Sequence, residues 1–180
     1  LDAFYFYDYV VRFHTGLPDA GSGGVGRSKI AQNGSVLPQN RVFMRYGHIT
    51  NTRFANGRPD LNQFMPGLER AFMNGLFSLE FRFPFATDAM NTYSLDNGSL
   101  TSGQRSRFGN LTVYSKALLI DVETFAFSGG LGVTCPTAND TSVHYANGTP
   151  LLHVANEAVY LQPFLGMLYT PNSNTFAQAF

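Results

Sequence analysis

The sequence predicts an all-β protein, an antiparallel up-and-down meander, and three observations carry that prediction. Large apolar residues alternate with polar ones over strand-length runs, most clearly in Phe77-Ser-Leu-Glu-Phe-Arg-Phe-Pro-Phe85. That period belongs to a strand with one apolar and one polar face. Tight turn signals alternate with long polar connections along the chain, and helix-period spacing of apolar residues is absent.

Taken in order, Leu1–Val11 is aromatic and strand-like, and residues 12–39 are a Gly/Ser-rich connection without periodicity. This N-terminal segment, 1–39, precedes a regular meander over 40–180 that is expected to continue beyond residue 180. Strands are expected near 41–50, 62–72, 76–85, 109–119, 124–134, 158–169 and 175–180. Asn74-Gly75 is a strong hairpin signal, because both central residues of a type I′ turn need positive φ. Folding back across it pairs Phe72 with Phe77, Leu68 with Phe81, Pro66 with Phe83 and Phe64 with Phe85. The other face then collects Ala71 with Ser78, Glu69 with Glu80 and Gly67 with Arg82. A one-residue slip would mix the two faces, so the pattern itself selects the register.

The same alternation continues downstream. Leu111, Val113, Ala117 and Leu119 share a face, as do Phe125, Phe127, Leu131 and Val133 across a turn expected at 120–123. Pairing Ala117 with Phe127 keeps these faces together and lays Tyr114 over Gly130, an aromatic covering a glycine. The connections 86–107 and 135–157 are long and polar, whereas 170–174 is tight. Short turns at one end and long loops at the other are the layout of outer-membrane barrels.

Charged residues make up only 13% of the chain while aromatics reach 14%, against about 25% charged in ordinary soluble domains. The formal net charge is zero, which removes the electrostatic basis for a nucleic-acid partner. The single Cys135 excludes an intrachain disulfide framework and a cysteine-built zinc site. No run approaches the roughly 18 apolar residues of a membrane-spanning helix. The chain begins Leu1-Asp2, and a processed or partial chain is expected.

Several phrases form a recognisable set: Ser28-Lys-Ile-Ala-Gln-Asn33 with Pro38-Gln-Asn-Arg-Val-Phe43, Pro66-Gly-Leu-Glu-Arg-Ala-Phe72, Phe77-Ser-Leu-Glu-Phe-Arg-Phe-Pro84, Gly109-Asn-Leu-Thr-Val113, Lys116-Ala-Leu-Leu119, Gly130-Leu-Gly-Val-Thr134 and Pro136-Thr137. Over roughly residues 27–180 the chain resembles an uncharacterised family of outer-membrane β-barrel proteins of planctomycete-type bacteria. That family is similar in layout to the porin-like "meta-pathway of phenol degradation" transporters. The resemblance implies a barrel, a passive channel or a wall protein, and no catalytic residues. Cys135 departs from the pattern, and the first 26 residues match nothing in it.

Candidate chemistry is sparse. Gly21-Ser-Gly-Gly-Val-Gly26-Arg27-Ser28 lacks the Lys of a phosphate-binding loop and is not followed by a helix-forming stretch, so it reads as a linker. His14, His48, His144 and His153 lack ligand spacing, although His144 and His153 share a loop with Asp140 and Glu157. Glu69 opposite Glu80 superficially resembles a catalytic carboxylate pair. A charge ladder shared with Arg82, and with Lys116 or Arg45 from neighbouring strands, is the plainer account.

The expectation is therefore an antiparallel up-and-down transmembrane β-barrel, or a large piece of one, in a bacterial outer membrane, acting as a passive porin-like channel or structural component. Phe72, Phe77, Phe81, Phe83, Phe85, Leu111, Val113, Phe125, Phe127, Leu131 and Val133 would face lipid. Arg45, Glu69, Glu80, Arg82, Tyr114, Lys116 and Gln162 would line the interior. No cofactor, metal or nucleic acid is expected. Outer-membrane lipid is the expected partner, with a homo-oligomer or other envelope proteins left open. The alternative is a soluble β-sandwich surface protein that binds carbohydrate or builds a layer through its long loops. No constellation points to an enzyme.

Overall fold

The computed structural model describes residues 34–49, 61–87, 92–96, 99–102 and 107–180. The expected strand Leu1–Val11 and the glycine-rich loop Gly21–Ser28 lie outside the described residues. The structure is all-β, and its larger sheet is antiparallel and curled into a half-barrel. Its strands are β1 (Arg41–Ile49), β2 (Leu61–Phe72), β3 (Phe77–Arg82), β4 (Phe85–Thr87), β7 (Arg107–Phe108), β8 (Thr112–Val122), β9 (Phe125–Thr134), β12 (Tyr160–Asn172) and β13 (Thr175–Ala179).

Two interruptions divide what are physically single staves. Pro84 has no N–H to give the ladder, and β3 and β4 lie on either side of it, both paired with β2. The backbone bonds bridge the gap: Phe83 N donates to Pro66 O at 2.9 Å and Gly109 N to Pro84 O at 2.8 Å. Counting β3 with β4 and β7 with β8, seven staves follow one another in chain order, each antiparallel to the next. These correspond to the seven segments that the alternation marks.

The β2–β3 register is the one the hairpin signal selects, with Glu69 opposite Glu80 and Phe72 opposite Phe77. Asn74 and Gly75 sit at φ 56° and 89°, and Leu76 N closes the turn on Met73 O. The β8–β9 hairpin differs from expectation. The turn falls at Glu123–Thr124, not at 120–123, and Ala117 pairs with Gly129, not with Phe127. An irregularity between Leu118 and Ile120 absorbs one residue. Tyr114 therefore lies opposite Gly132 rather than Gly130. The net displacement is even, so both faces survive it.

Three inward glycines exist to admit rings. A Cβ at Gly67 would fall inside the Phe43 ring, one at Gly132 inside Tyr114, and one at Gly130 against Phe164 and the Ser115 carbonyl. Tyr114 and Phe164 meet edge to face with centroids 6.1 Å apart.

The long polar connections 86–107 and 135–157 carry strands of their own. These are β5 (Thr92–Asp96), β6 (Ser99–Ser102), β10 (Thr141–Tyr145) and β11 (Pro150–Val154), which form a second, four-stranded sheet. Strands β5 and β10 pair in parallel, joining the two loops to each other. Its base is pinned by a buried amide pair. Asn110 and Asn156 exchange bonds of 3.0 and 2.7 Å, and Ala138 N donates to Asn110 Oδ1 at 2.9 Å.

Packing at the inner glycines generates a prediction. Gly130→Ala should lower stability by about 1–3 kcal/mol, because the new methyl meets backbone that cannot yield. Gly129→Ala on the outer face, 3.3 Å from a flexible Leu165 methyl, should change it little. Paired denaturant titrations of the two variants check the contrast.

Candidate functional site

The inner face of the half-barrel is polar. At its centre Glu69 and Glu80 oppose each other across β2 and β3, with 2% and 3% exposure. Two carboxylates so placed repel strongly, and cations from three strands separate them. Arg41, opposite Glu69 on β1, bridges both: its Nε donates to Glu69 at 2.7 Å and its Nη2 to Glu80 at 2.8 Å. Lys116 Nζ donates to Glu69 Oε1 at 2.8 Å, beside the Ser78 hydroxyl at 2.7 Å. Arg82 Nε donates to the other oxygen of Glu80, and its guanidinium lies 4.5 Å over the Tyr114 ring. Lys116 and Arg82 are also buried.

Arg41 was missed in the sequence. The sequence of the connection 50–60 does not fix the β1–β2 register: Asn56-Gly57 taken as a two-residue loop would pair Arg41 with Phe72, whereas Arg41 lies opposite Glu69, and Arg45 was the residue expected from this strand. Arg45 instead lies opposite Met65, two inward layers from Arg41 toward the long loops. Its Nη1 is buried without a hydrogen-bond partner. Gln162 is exposed at the β12 side and accepts a 3.1 Å bond from the Tyr114 hydroxyl. All seven residues assigned to the interior thus share the inner face, and four of them join one charged network.

Residues 34–40, of which 34–39 fall in the expected Gly/Ser-rich connection, form an element of their own. They run as a strap, bent at Val36 and Leu37, across the inner face from the β13 edge of the sheet to the β1 edge. Gln178 on β13 donates to Gly34 O at 3.2 Å. Val36, fully buried, abuts Gly166 on β12, where a Cβ would meet its methyl at 3.2 Å and the Ser128 hydroxyl at 3.3 Å. Lys116 Nζ approaches Leu37 O at 3.5 Å, and Gln39 N donates to Glu69 Oε1 at 3.3 Å. An open cleft of about 720 Å³ lies between the strap and the turns of β8–β9 and β12–β13.

The outer face is the reverse. Phe72, Phe77, Phe81, Phe83, Phe85, Leu111, Val113, Phe125, Phe127, Leu131 and Val133 all lie on it, and none is buried. Val42 is 86% exposed there and Leu165 61%. Most of the aromatic residues gather at two levels, with Phe81 and Phe83 between them. Toward the long loops Tyr46, Phe64, Phe85 and Phe108 form a row across four strands, with successive centroids 5.1, 5.1 and 6.1 Å apart. Toward the short turns Phe72 meets Phe77, and Phe125 lies opposite Tyr169.

Elsewhere the chemistry is thin. His153 lies 3.3 Å from Asp140 and 3.2 Å from the Ser142 hydroxyl, on an exposed strand pair where water competes for each bond. Among the described residues no three metal-binding side chains converge. No helix among them is long and apolar enough to cross a membrane, which says nothing of strands. No protein-family model matches this chain, and none of the curated proteins or solved structures compared with it does either.

Because Glu69 is buried and takes bonds from three strands and the strap, Glu69→Ala should destabilise the fold by about 3–5 kcal/mol, stranding Lys116 and leaving Arg41 with Glu80 alone. Arg45→Met, which removes a buried nitrogen without a partner, should leave stability unchanged or raise it. Thermal unfolding midpoints of the two variants, measured side by side, test the assignment.

Proposed function

We propose that this chain is a bacterial outer-membrane β-barrel protein, a passive porin-like conduit or a structural component of the wall. The observation that carries this reading is the inverted polarity of the sheet: charges and amides inside, exposed Phe, Leu, Val and Met outside. Water would penalise such a surface at every strand, whereas a hydrocarbon environment matches it. Among the described staves the outer positions carry a single formal charge, Arg70.

Dimensions agree. Strands β1, β2, β8, β9 and β12 have 9, 12, 11, 10 and 13 residues, and crossing a bilayer at a tilt takes about 9–11. Eight steps from Phe77 to Phe85 at about 3.3 Å, tilted about 40°, give roughly 20 Å between the aromatic levels. Outer-membrane barrels carry an apolar band about 25 Å tall between aromatic girdles. A β-sandwich would instead lay a second sheet over the apolar face, and among the described residues nothing covers it.

The inner face favours a narrow or closed conduit over a wide wet pore, because Glu69, Glu80, Arg82 and Lys116 are packed rather than solvated. The direct test is extraction. The native protein should partition with the outer membrane, require detergent and run as a heat-modifiable band. Release into salt and buffer would refute the proposal. In lipid, Leu131→Arg should cost about 2–4 kcal/mol; an unchanged unfolding free energy would mean that Leu131 faces water.

A further inference from the structure

We propose that residues 34–40 are an internal plug that holds the short-turn end of the barrel shut to small hydrophilic solutes and leaves its seat without unfolding the wall. This rests on the outer-membrane barrel reading. The strap spans the interior from β13, through β12 and β8, to β2 and β1, touching both edges of the half-barrel in seven residues. A chain in that position obstructs the passage whether the wall is completed by further strands or by another subunit.

The strap is the movable part because its bonds are the weak ones. Its contacts to the wall at Gly34, Leu37 and Gln39 measure 3.2, 3.5 and 3.3 Å, and its one short bond, 2.9 Å from Ala71 N to Asn40 Oδ1, ties only the end that continues into β1. The ladder beneath it is held at 2.7 and 2.8 Å between full charges, and charge-assisted bonds of that length are about twice as strong as neutral ones. Losing the strap costs Lys116 and Glu69 one long bond each and leaves both paired with each other. A single apolar side chain, Val36, anchors the segment, in a niche made by Gly166 and Ser128. The seat is imperfect, since the Ser128 hydroxyl is buried there without a hydrogen-bond partner. Departure of Val36 would let water satisfy it, which lowers the penalty of opening. The cleft of about 720 Å³ beside Ser35, Leu37 and Gln39 leaves that side of the strap unobstructed.

The test uses the full chain, purified in detergent and reconstituted, in a Cys135→Ser background. Ser128→Cys places a thiol beneath Val36, and its reaction with a charged methanethiosulfonate reagent reports seat exposure. Adding Val36→Ser should speed labelling about tenfold or more by removing the anchor's burial, and should raise the channel open fraction in planar bilayers. Val36→Cys with Gly166→Cys should form a disulfide that abolishes openings until reductant is added. Equal labelling rates with and without Val36→Ser, or unchanged conductance on locking, would overturn the plug. A wild-type protein that needs no detergent would refute the membrane reading instead, and with it the gating role, even where labelling is slow. Heat-modifiable bands for each variant establish that the wall itself has folded.

Discussion

Two like charges facing each other are an unusual centre for a sheet, and Glu69 and Glu80 make the rest of the inner face necessary. Their repulsion across β2 and β3 is relieved only if cations arrive from β1 and β8 as well as from β3 itself. Arg41, Lys116 and Arg82 therefore do what apolar packing does in a soluble core, tying four staves into one register. A one-residue slip of β1 would carry Arg41 to the outer face and leave two buried carboxylates short of a partner, an outcome far costlier than the loss of a surface ion pair. Specification by charge also frees the apolar residues from inward duty. With the centre polar, the period-two alternation places most Phe and Leu of these strands outside, Phe43 over Gly67 and Leu118 opposite Ser128 being inward exceptions.

The staves among the described residues number seven, and that odd number constrains how they can close into a wall. Seven alternating strands leave β1 and β13 running the same way. Joining those two edges directly, or to the edges of an identical half related by an axis along the barrel, makes parallel seams. An antiparallel seam at both edges needs an odd number of intervening strands. The strap adds to the constraint, because it already connects the β13 edge to the β1 edge from within. Any completing strands must pass outside it.

Much of this was legible because it is local. Asn74-Gly75 sets its hairpin within four residues, and the alternation from Phe64 to Phe85 then leaves one register that separates Glu69 and Glu80 from Phe72 and Phe77. Parity protected the face assignments even where the pairing was misjudged: the irregularity at Leu118 and Ile120 and a turn two residues later moved Tyr114 from Gly130 to Gly132 without changing sides. What failed to show was non-local. Arg41 meets Glu69 across a connection whose one Asn-Gly pair, Asn56-Gly57, does not give the observed register, and β5 meets β10 across more than forty residues of chain. Residues 34–40 have neither period nor turn signal; Val36 is buried by Gly166, far along the sequence. Glycine in a strand announces a close approach but not what approaches.

The outer face offers one more physical argument, from its gradation with height. A sheet surface that merely lacked charge would scatter its aromatic rings evenly, whereas here most stand toward the rims, Tyr46 to Phe108 at one level and Phe72, Phe77, Phe125 and Tyr169 at the other, with Phe81 and Phe83 between. Met44, Leu68, Leu131 and Leu165 also lie between the two levels, exposed and uncharged. Aromatic side chains favour the boundary between apolar and wet environments. Arg70 obeys the same gradient. It lies two residues from Phe72, at the short-turn rim, where a long side chain can keep its stem against apolar surface and its guanidinium in water. A face covered by a second sheet would have no reason to order its residues by distance from the strand ends; a face bounded by two interfaces would.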